Sequence, residues 1–393
     1  MEKEERQKLP RGAVLKRRYG TPILGILALA LSFALIQCRP RPKNSIPYPL
    51  VLVHGFGGGG RVWAENYQVV DFLEAHGLRF GGILSIEDGR VIRDRRSLGS
   101  DFYAVNFTDN LASVSTQAKE LSKFLSFIRK DSRCPKALLV GFSMGGVVCR
   151  QYLVTHLRNH GIVKLVTIGS PHLGTPLALS YDLKQWLRTH SRVAGDGALN
   201  SAQVVGIELE IKALDAIESQ VRQGLALKRF ALDCPALADL RPPRRSDYGS
   251  YADGLLPGTT FLYRLNAARH PQDVEYACIV GDLGNDQNLQ DILRNAREAE
   301  HKMDTPRLLA RLLYPLGNLA VGLFGASRGG SPIGRGDGIV GTDSQDLRNT
   351  SFFQGRRRLV SVFRISGVGH LEECWYHDVL KAAIGAEYLN RVR

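Results

Sequence analysis

The amino-acid sequence predicts an α/β fold in which a mostly parallel, doubly wound sheet carries helices on both faces. The first observation is a series of short, uninterrupted apolar runs from residue 48 onwards, as expected of strands buried on both faces. The second is the helical spacing of apolar residues between those runs, for example at Leu121, Phe124 and Ile128. Strands and helices that alternate in this way form parallel sheets, which bind ligands at the carboxyl ends of their strands.

These patterns place the individual elements along the chain. In chain order, the predicted strands lie at 49–55, 102–107, 136–142, 163–171, 274–282 and 359–366, and the predicted helices at 116–130 and 144–157. Two stretches, 177–232 and 286–330, interrupt the alternation and carry helical apolar patterns. We interpret both as helical insertions that form a cap over the functional site; the alternative is that they only add packing.

The chain of 393 residues has a net charge of +14, and part of this basic excess is concentrated at the N-terminus. Residues 1–18 alone hold seven lysines or arginines against three glutamates, and a second basic run lies at Arg90–Arg96. Since no stretch interleaves aromatic with basic residues, as a nucleic-acid platform would, we expect no nucleic-acid partner. The charge favours attraction to anionic surfaces such as lipid headgroups; the alternative is a solvated basic face without a partner.

Residues 1–38 are predicted to be an export signal or a membrane anchor. The basic segment leads into the uncharged apolar run Thr21–Gln37, which is followed by Cys38 and a proline-rich linker at 39–47. Cys38 is placed like the cysteine that is lipidated in bacterial lipoproteins, although a glutamine replaces the small residue usually found before it. The alternatives are an uncleaved anchor and ordinary secretion. All three place the remaining domain, residues 48–393, outside the cytoplasm.

The other five cysteines are spaced irregularly, which indicates neither a disulfide framework nor a metal site. Cys149 and Cys278 lie within apolar runs and are predicted to be buried thiols. The count allows a single disulfide, whose partners the spacing does not identify.

A serine stands between two glycines directly after a predicted strand. In the stretch Gly141–Gly146, Ser143 is flanked by Gly141 and Gly145, and a helical pattern follows. The backbone of a serine at such a strand-to-helix turn is strained, and small neighbours avoid a clash. This context favours a nucleophile elbow over a chance occurrence of the pattern, and it predicts Ser143 as a nucleophile.

A serine nucleophile needs a base, and the base needs a carboxylate that fixes its tautomer. His370 follows the last predicted strand and is the predicted base. Asp337, between two glycines in a tight loop, is the predicted acid, whereas Asp343 and Asp346 are predicted to be solvated turn residues. His377 is the competing base, and we interpret it as structural because it lies in a helical pattern.

Two backbone N–H groups are needed to stabilise the oxyanion that such a serine generates. The elbow supplies the N–H of Met144, and the glycine-rich turn after the first predicted strand supplies that of Phe56. This turn has neither the Gly-Lys-Ser/Thr ending of a P-loop nor the spacing of a dinucleotide site, which disfavours phosphate binding. His54, at the end of the same strand, is predicted to be a structural hydrogen-bonding residue.

The chain resembles the secreted bacterial triacylglycerol lipases of the α/β-hydrolase superfamily in four motifs, "VLVHGFGG", "VGFSMGG", "VTIGSPHLGTP" and "GDGIVG" followed by "GHLEE". These motifs keep the family's order and the resemblance covers residues 48–375. It implies an α/β-hydrolase fold and the following site residues: Ser143 as nucleophile, Asp337 as acid, His370 as base, and Phe56 and Met144 as oxyanion-hole donors. Some of these lipases hold a structural calcium ion with an aspartate where this chain has Glu372, but the other ligand has no clear counterpart here.

We therefore predict an exported, membrane-associated serine hydrolase that cleaves carboxylic esters, most of all lipids, and needs no cofactor. Phospholipid deacylation, thioester cleavage and acyl transfer are the alternatives within enzymes, because they share the chemistry of the triad. From another class, the alternative is a catalytically silent surface-binding module on a hydrolase fold. The preferred acyl-chain length and the oligomeric state stay open at this stage.

Overall fold

The computed structural model describes residues 46–95, 100–175, 177–178, 234–241, 260–282 and 335–390, and the single positions 208, 211, 212, 215, 219 and 231. These residues belong to one compact unit. The predicted N-terminal segment with Cys38 lies outside the described residues. The predicted insertion at 286–330 also lies outside them, as does most of the insertion at 177–232.

The described residues form an eight-stranded sheet in the order β3-β2-β4-β1-β5-β6-β7-β8. Its strands are β1 (Leu50–Val53), β2 (Phe80–Glu87), β3 (Arg90–Arg93), β4 (Phe102–Val105), β5 (Ala137–Phe142), β6 (Ile162–Ile168), β7 (Glu275–Asp282) and β8 (Val360–Ser366). Every neighbouring pair is parallel except β2 and β3, which pair antiparallel at one edge. All six strands predicted from the apolar runs are present, and the mostly parallel sheet is confirmed.

The helices of the described residues are short apart from two that pack on the centre of the sheet. They are α1 (Val62–Glu65), α2 (Val69–Ala75), α3 (Val114–Ser132), α4 (Met144–Thr155), α5 (Pro235–Asp239), α6 (Phe261–Ala267), α7 (Thr342–Gln345), α8 (Ser351–Gln354), α9 (His377–Ile384) and α10 (Ala386–Leu389). Single 3₁₀ turns lie at Leu347–Asn349, Arg357–Leu359 and Glu373–Trp375. Within the described ranges, no helix has the length and apolar character needed to cross a bilayer.

The core lies on both faces of the sheet, as the alternation of strands and helices predicts. Val51 and Val53 of β1 pack with α3 and α4 on one face, whereas Leu50 and Leu52 pack with α1, α2 and α9 on the other. Because all four side chains are fully buried, β1 reads as a continuous apolar run rather than an alternating one. Cys149 and Cys278 are fully buried free thiols, which confirms the burial predicted for both.

The β2–β3 hairpin was not predicted, and the basic run Arg90–Arg96 proves to begin with an edge strand. The side chains of β3 alternate between exposed and half-buried positions, and Arg93 pairs with Asp131 of α3 at 2.9 Å. Charged side chains on an edge strand prevent further strand pairing. The signal for this hairpin is the pair Asp88 and Gly89, which both adopt positive φ as a two-residue turn of this type requires.

Candidate active site

Ser143 occupies the tight turn between β5 and α4, at the carboxyl edge of the sheet. Its backbone has φ 51° and ψ −126°, a conformation that a residue with a side chain rarely adopts. A glycine is required at position 145 because the first turn of α4 lies directly against the end of β1. A Cβ atom on Gly145 would overlap the carbonyl oxygens of Val53 and His54 at the end of β1. The turn therefore has the geometry of a nucleophile elbow.

A chain of two hydrogen bonds connects Ser143 to His370 and Asp337. The Oγ atom of Ser143 lies 2.9 Å from Nε2 of His370, and Nδ1 of His370 lies 2.7 Å from Oδ2 of Asp337. Since a carboxylate only accepts hydrogen bonds, Nδ1 carries the proton and Nε2 is left to accept from the serine hydroxyl. All three residues are buried, and Ser143 retains 8% exposure. The structure thus brings together the three residues that the sequence singles out.

The carboxylate of Asp337 is held by four donors. Its Oδ1 atom accepts from the backbone N–H groups of Ile339 and Val340, at 2.8 and 2.7 Å. Its Oδ2 atom accepts from Nε2 of Gln345 at 2.8 Å as well as from His370. These four contacts hold the carboxylate in a fixed position against the imidazole ring. The loop also fixes the histidine backbone, because the N–H of His370 donates to the Asp337 carbonyl at 3.0 Å.

The competing acids and the competing base lie elsewhere. Asp343 is exposed, as predicted, but Asp346 is only 3% exposed, so its interpretation as a solvated turn residue was wrong. The reason is charge pairing. The guanidinium group of Arg348 binds the Asp346 carboxylate at 2.7 Å, and Arg364 of β8 approaches the same carboxylate. His377 begins α9 and donates through Nε2 to a backbone carbonyl at 2.9 Å, in agreement with its structural interpretation.

One predicted oxyanion donor, Met144, directly follows Ser143, and the other, Phe56, follows a glycine that lies against the serine. Met144 is the first residue of α4, and the N–H groups of a first helical turn have no acceptor within the helix. Phe56 follows Gly55, whose backbone lies against the serine: a Cβ atom on Gly55 would stand 2.8 Å from the Cβ of Ser143. The loop is fixed by Asn110, whose amide donates to the carbonyls at the next two positions of the turn.

Among the described residues, His54 makes the structural hydrogen bonds predicted for it. It is fully buried, its Nδ1–H donates to the Gly55 carbonyl at 2.8 Å, and its Nε2 accepts from the N–H of Phe107 at 3.5 Å. Burial lowers the pKa of His54 to about 4, because the charged ring loses its hydration.

Sequence reasoning missed Gln345 and Glu373. Beyond its bond to Asp337, the Gln345 amide donates to the Gly281 carbonyl and accepts from the Gly281 N–H, so it links the acid loop to β7. Glu373 is a buried acid three residues after His370. A single glutamine or glutamate carries no local pattern; the nearest signals were the motif "GDGIVG" just before Gln345 and the motif "GHLEE", which ends at Glu373.

The described residues do not fit the calcium ion that the resemblance raises. Glu372 is buried and accepts from the backbone N–H of Gly369 at 2.8 Å. Within the part of the chain that the structure describes, the group of ligand-type side chains close enough for a metal is Asp337, His370 and Glu373. Calcium takes six to eight oxygen ligands, whereas this buried group contains a histidine already bonded to an aspartate.

Comparisons with known proteins agree with this architecture. The family model described as the alpha/beta hydrolase fold matches residues 48–209. The chain has the α/β-hydrolase fold, and the resemblance to α/β-hydrolases drawn from the motifs is confirmed.

Similar proteins include one curated relative and several solved structures. The chain is 26% identical over 153 residues to the lysosomal thioesterase PPT2-B of Xenopus laevis; the match covers 38% of this chain and 43% of the relative. The chain therefore spans less than half of that relative's length. Mature Bacillus licheniformis lipase BlEst2 is 14% identical with a TM-score of 0.47, covering 90% of this chain and 95% of that one. EstA from Clostridium botulinum is 16% identical with a TM-score of 0.46, and 91% of each chain is covered.

Proposed function

We propose that the protein is a serine hydrolase that cleaves carboxylic esters, above all lipid esters, through an acyl-enzyme on Ser143. The observation that carries this proposal is the hydrogen-bonded chain from Ser143 through His370 to Asp337 at a nucleophile elbow. These are the parts that acyl transfer requires: a nucleophile, a base within reach of its proton, and a carboxylate that orients the base.

In the first half of the reaction, Oγ of Ser143 attacks the ester carbonyl carbon while Nε2 of His370 takes the hydroxyl proton. The N–H groups of Phe56 and Met144 donate to the oxyanion, and the start of α4 adds the positive end of its dipole. Asp337 stabilises the imidazolium. The intermediate then collapses, the alcohol leaves with the proton from His370, and the acyl group stays on the serine.

In the second half, His370 takes a proton from a water molecule that attacks the acyl-enzyme. The second oxyanion forms in the same place, and its collapse releases the carboxylic acid and returns the proton to Ser143. Every proton moves between groups of this chain, the substrate and water, so the proposed cycle requires no cofactor. A nucleophile that attacks the acyl-enzyme in place of water would receive the acyl group. Acyl transfer would therefore use the same residues.

Thioester cleavage is the second candidate, because the curated relative is a thioesterase. A thiolate leaves more easily than an alkoxide, and the residues named above would serve both substrates. Ester and thioester cleavage therefore differ in the acyl and leaving groups that the site accepts.

The N-terminal segment supports an exported enzyme that works at a membrane surface. Its basic residues, the apolar run Thr21–Gln37 and Cys38 are the features of a lipoprotein signal or an anchor. Attachment to a surface brings an enzyme to water-insoluble esters, and basic residues are attracted to anionic lipids. Lipid esters are the proposed substrates, and no nucleic-acid partner is expected.

Fluorophosphonate labelling tests the nucleophile, with the Ser143→Ala variant and an exposed-serine control, Ser126→Ala. We expect the probe to label the wild type and Ser126→Ala but not Ser143→Ala, and ester hydrolysis to fall about 10⁶-fold in the latter. A wild type that is never labelled, as a silent binding module would be, contradicts the proposal. A panel of esters of graded chain length, phospholipids and thioesters then identifies the substrate class.

A further inference from the structure

Glu373 is a buried carboxyl group for which the proposed reaction has no role. Glu373 is the first residue of the 3₁₀ turn Glu373–Trp375 and is only 1% exposed. Neither carboxyl oxygen makes a hydrogen bond of normal geometry to another described residue. A buried carboxylate without donors is very unfavourable, so the position requires an explanation.

The end of the sheet is shaped to hold this carboxyl group. Gly169 follows β6 and Gly281 lies near the end of β7, and a Cβ atom on either would overlap a carboxyl oxygen of Glu373. Gly169 also has φ 55°, which favours glycine independently of space. Two neighbouring strands thus leave room for the Glu373 side chain beside the histidine loop.

That position puts Glu373 next to the pair formed by His370 and Asp337. One ligand-type atom from each of the three side chains lies within 4.8 Å of the other two. Among the described residues, the buried thiol of Cys374 is a further titratable neighbour, while Gly169 after β6 and Gly281 of β7 line the space around the carboxyl group. The group therefore contains two buried acids and one imidazole.

Two carboxyl groups this close inside a protein do not both ionise. Asp337 accepts from four donors, whereas neither carboxyl oxygen of Glu373 has a donor of normal geometry among the described residues. The pKa of Glu373 is raised well above its usual range, first by burial and then by the negative charge of Asp337. Glu373 is accordingly the member that keeps its proton.

We propose that Glu373 is a positioning residue: it stays neutral and directs its carboxyl proton to Asp337, so that one negative charge serves His370. This inference rests on the proposed function, since it assigns a role within the same site. A hydrogen bond from a neutral donor makes Asp337 less basic. The proton between Asp337 and His370 then stays on Nδ1 of the histidine. An ionised Glu373 would instead add a second negative charge and hold a proton on the imidazole to higher pH.

Three variants test this role. Glu373→Gln keeps the size and a donor, Glu373→Met keeps the size without a donor, and Cys374→Ala changes the packing of the same turn without removing a carboxyl proton. The readouts are the pH profile of kcat/KM on a short soluble ester and the low-field NMR signal of the Nδ1 proton of His370. Circular dichroism establishes that each variant is folded.

We expect Glu373→Gln to retain kcat/KM within about threefold, because one neutral donor replaces another. Its acid-limb midpoint and its Nδ1 signal should match the wild type. Glu373→Met should lower kcat/KM about tenfold, move the acid-limb midpoint to higher pH and shift the Nδ1 signal, since Asp337 loses a donor and becomes more basic. Cys374→Ala should lower stability only.

Two results would overturn the inference. An acid-limb midpoint about one pH unit lower in Glu373→Gln would mean that an anion had been removed. An unchanged midpoint and Nδ1 signal in Glu373→Met would mean that the residue only fills space; if that variant does not fold, the Glu373→Gln profile decides. If the wild type shows neither labelling nor hydrolysis, the proposed function fails, but the Nδ1 signal still tests Glu373.

Discussion

We expect the fold to be sensitive to acid, because the neutral ring of His54 is fully buried. Both of its nitrogens are engaged in the neutral form: Nδ1–H donates to a carbonyl, and Nε2 accepts from a backbone N–H. A proton on Nε2 would face that N–H group, and the charged ring would have no water around it. The pKa of His54 is therefore lowered from 6.5 to about 4.

The sign and size of the effect follow from this difference. Because the folded-state pKa lies below the unfolded-state value, the unfolded chain binds the proton first as the pH falls. The stability linked to His54 is complete above pH 6.5 and is lost between pH 6.5 and about pH 4. At about 1.4 kcal/mol per pH unit, the loss is about 3 kcal/mol. Burial also lowers the pKa values of His172 and His270, so these two histidines likewise reduce the stability of the fold as the pH falls.

The measurement is the free energy of unfolding by urea as a function of pH, for the wild type and His54→Gln. An amide can donate and accept, so the variant replaces both hydrogen bonds without a titrating group. We expect the curve of the variant to be flatter by about 3 kcal/mol between about pH 7 and about pH 4, since the other histidines contribute equally to both proteins. The exposed His76→Gln variant is the control and should follow the wild type. Parallel curves for the wild type and His54→Gln would refute this reasoning.

Three further predictions concern the site and the N-terminus. Asp337→Asn should lose roughly 10⁴-fold in kcat with an unchanged circular dichroism spectrum, because His370 then takes the wrong tautomer; full activity there, with loss in Asp343→Asn, would reassign the acid. Gly145→Ala should destabilise the protein by about 1–3 kcal/mol in urea unfolding, because its methyl group overlaps carbonyl oxygens at the end of β1; unchanged stability would contradict the close approach. Cys38→Ser should move the full-length protein out of the membrane fraction, whereas a chain that starts at Asn44 should be soluble and hydrolyse short esters. Retention of Cys38→Ser in the membrane fraction would indicate an uncleaved anchor. If the truncated chain were inactive or unfolded, the predicted domain boundary would be wrong.

Much of the fold and of the site could be predicted because the relevant signals are local. The buried strands are uninterrupted apolar runs, since a central strand of a parallel sheet is covered on both faces. The candidate nucleophile Ser143 is recognisable because an elbow needs glycines at fixed positions around it, and the candidate acid and base follow from the order of short motifs. The β2–β3 hairpin carried a local signal as well, in Asp88 and Gly89, but two glycines after the first residue of β2 weaken its apolar pattern.

The tertiary structure decided what depends on partners distant in sequence. Asp346 is buried where Arg348 and Arg364 pair with its carboxylate, and the second of these lies on another element. Gln345 acquires its role from its contacts with β7 and Asp337. Glu373 lies beside the acid because the ends of two strands leave room for a carboxyl group. A sequence specifies the residues capable of acid–base chemistry, but their charge states depend on burial and on neighbouring charges, which the fold alone sets.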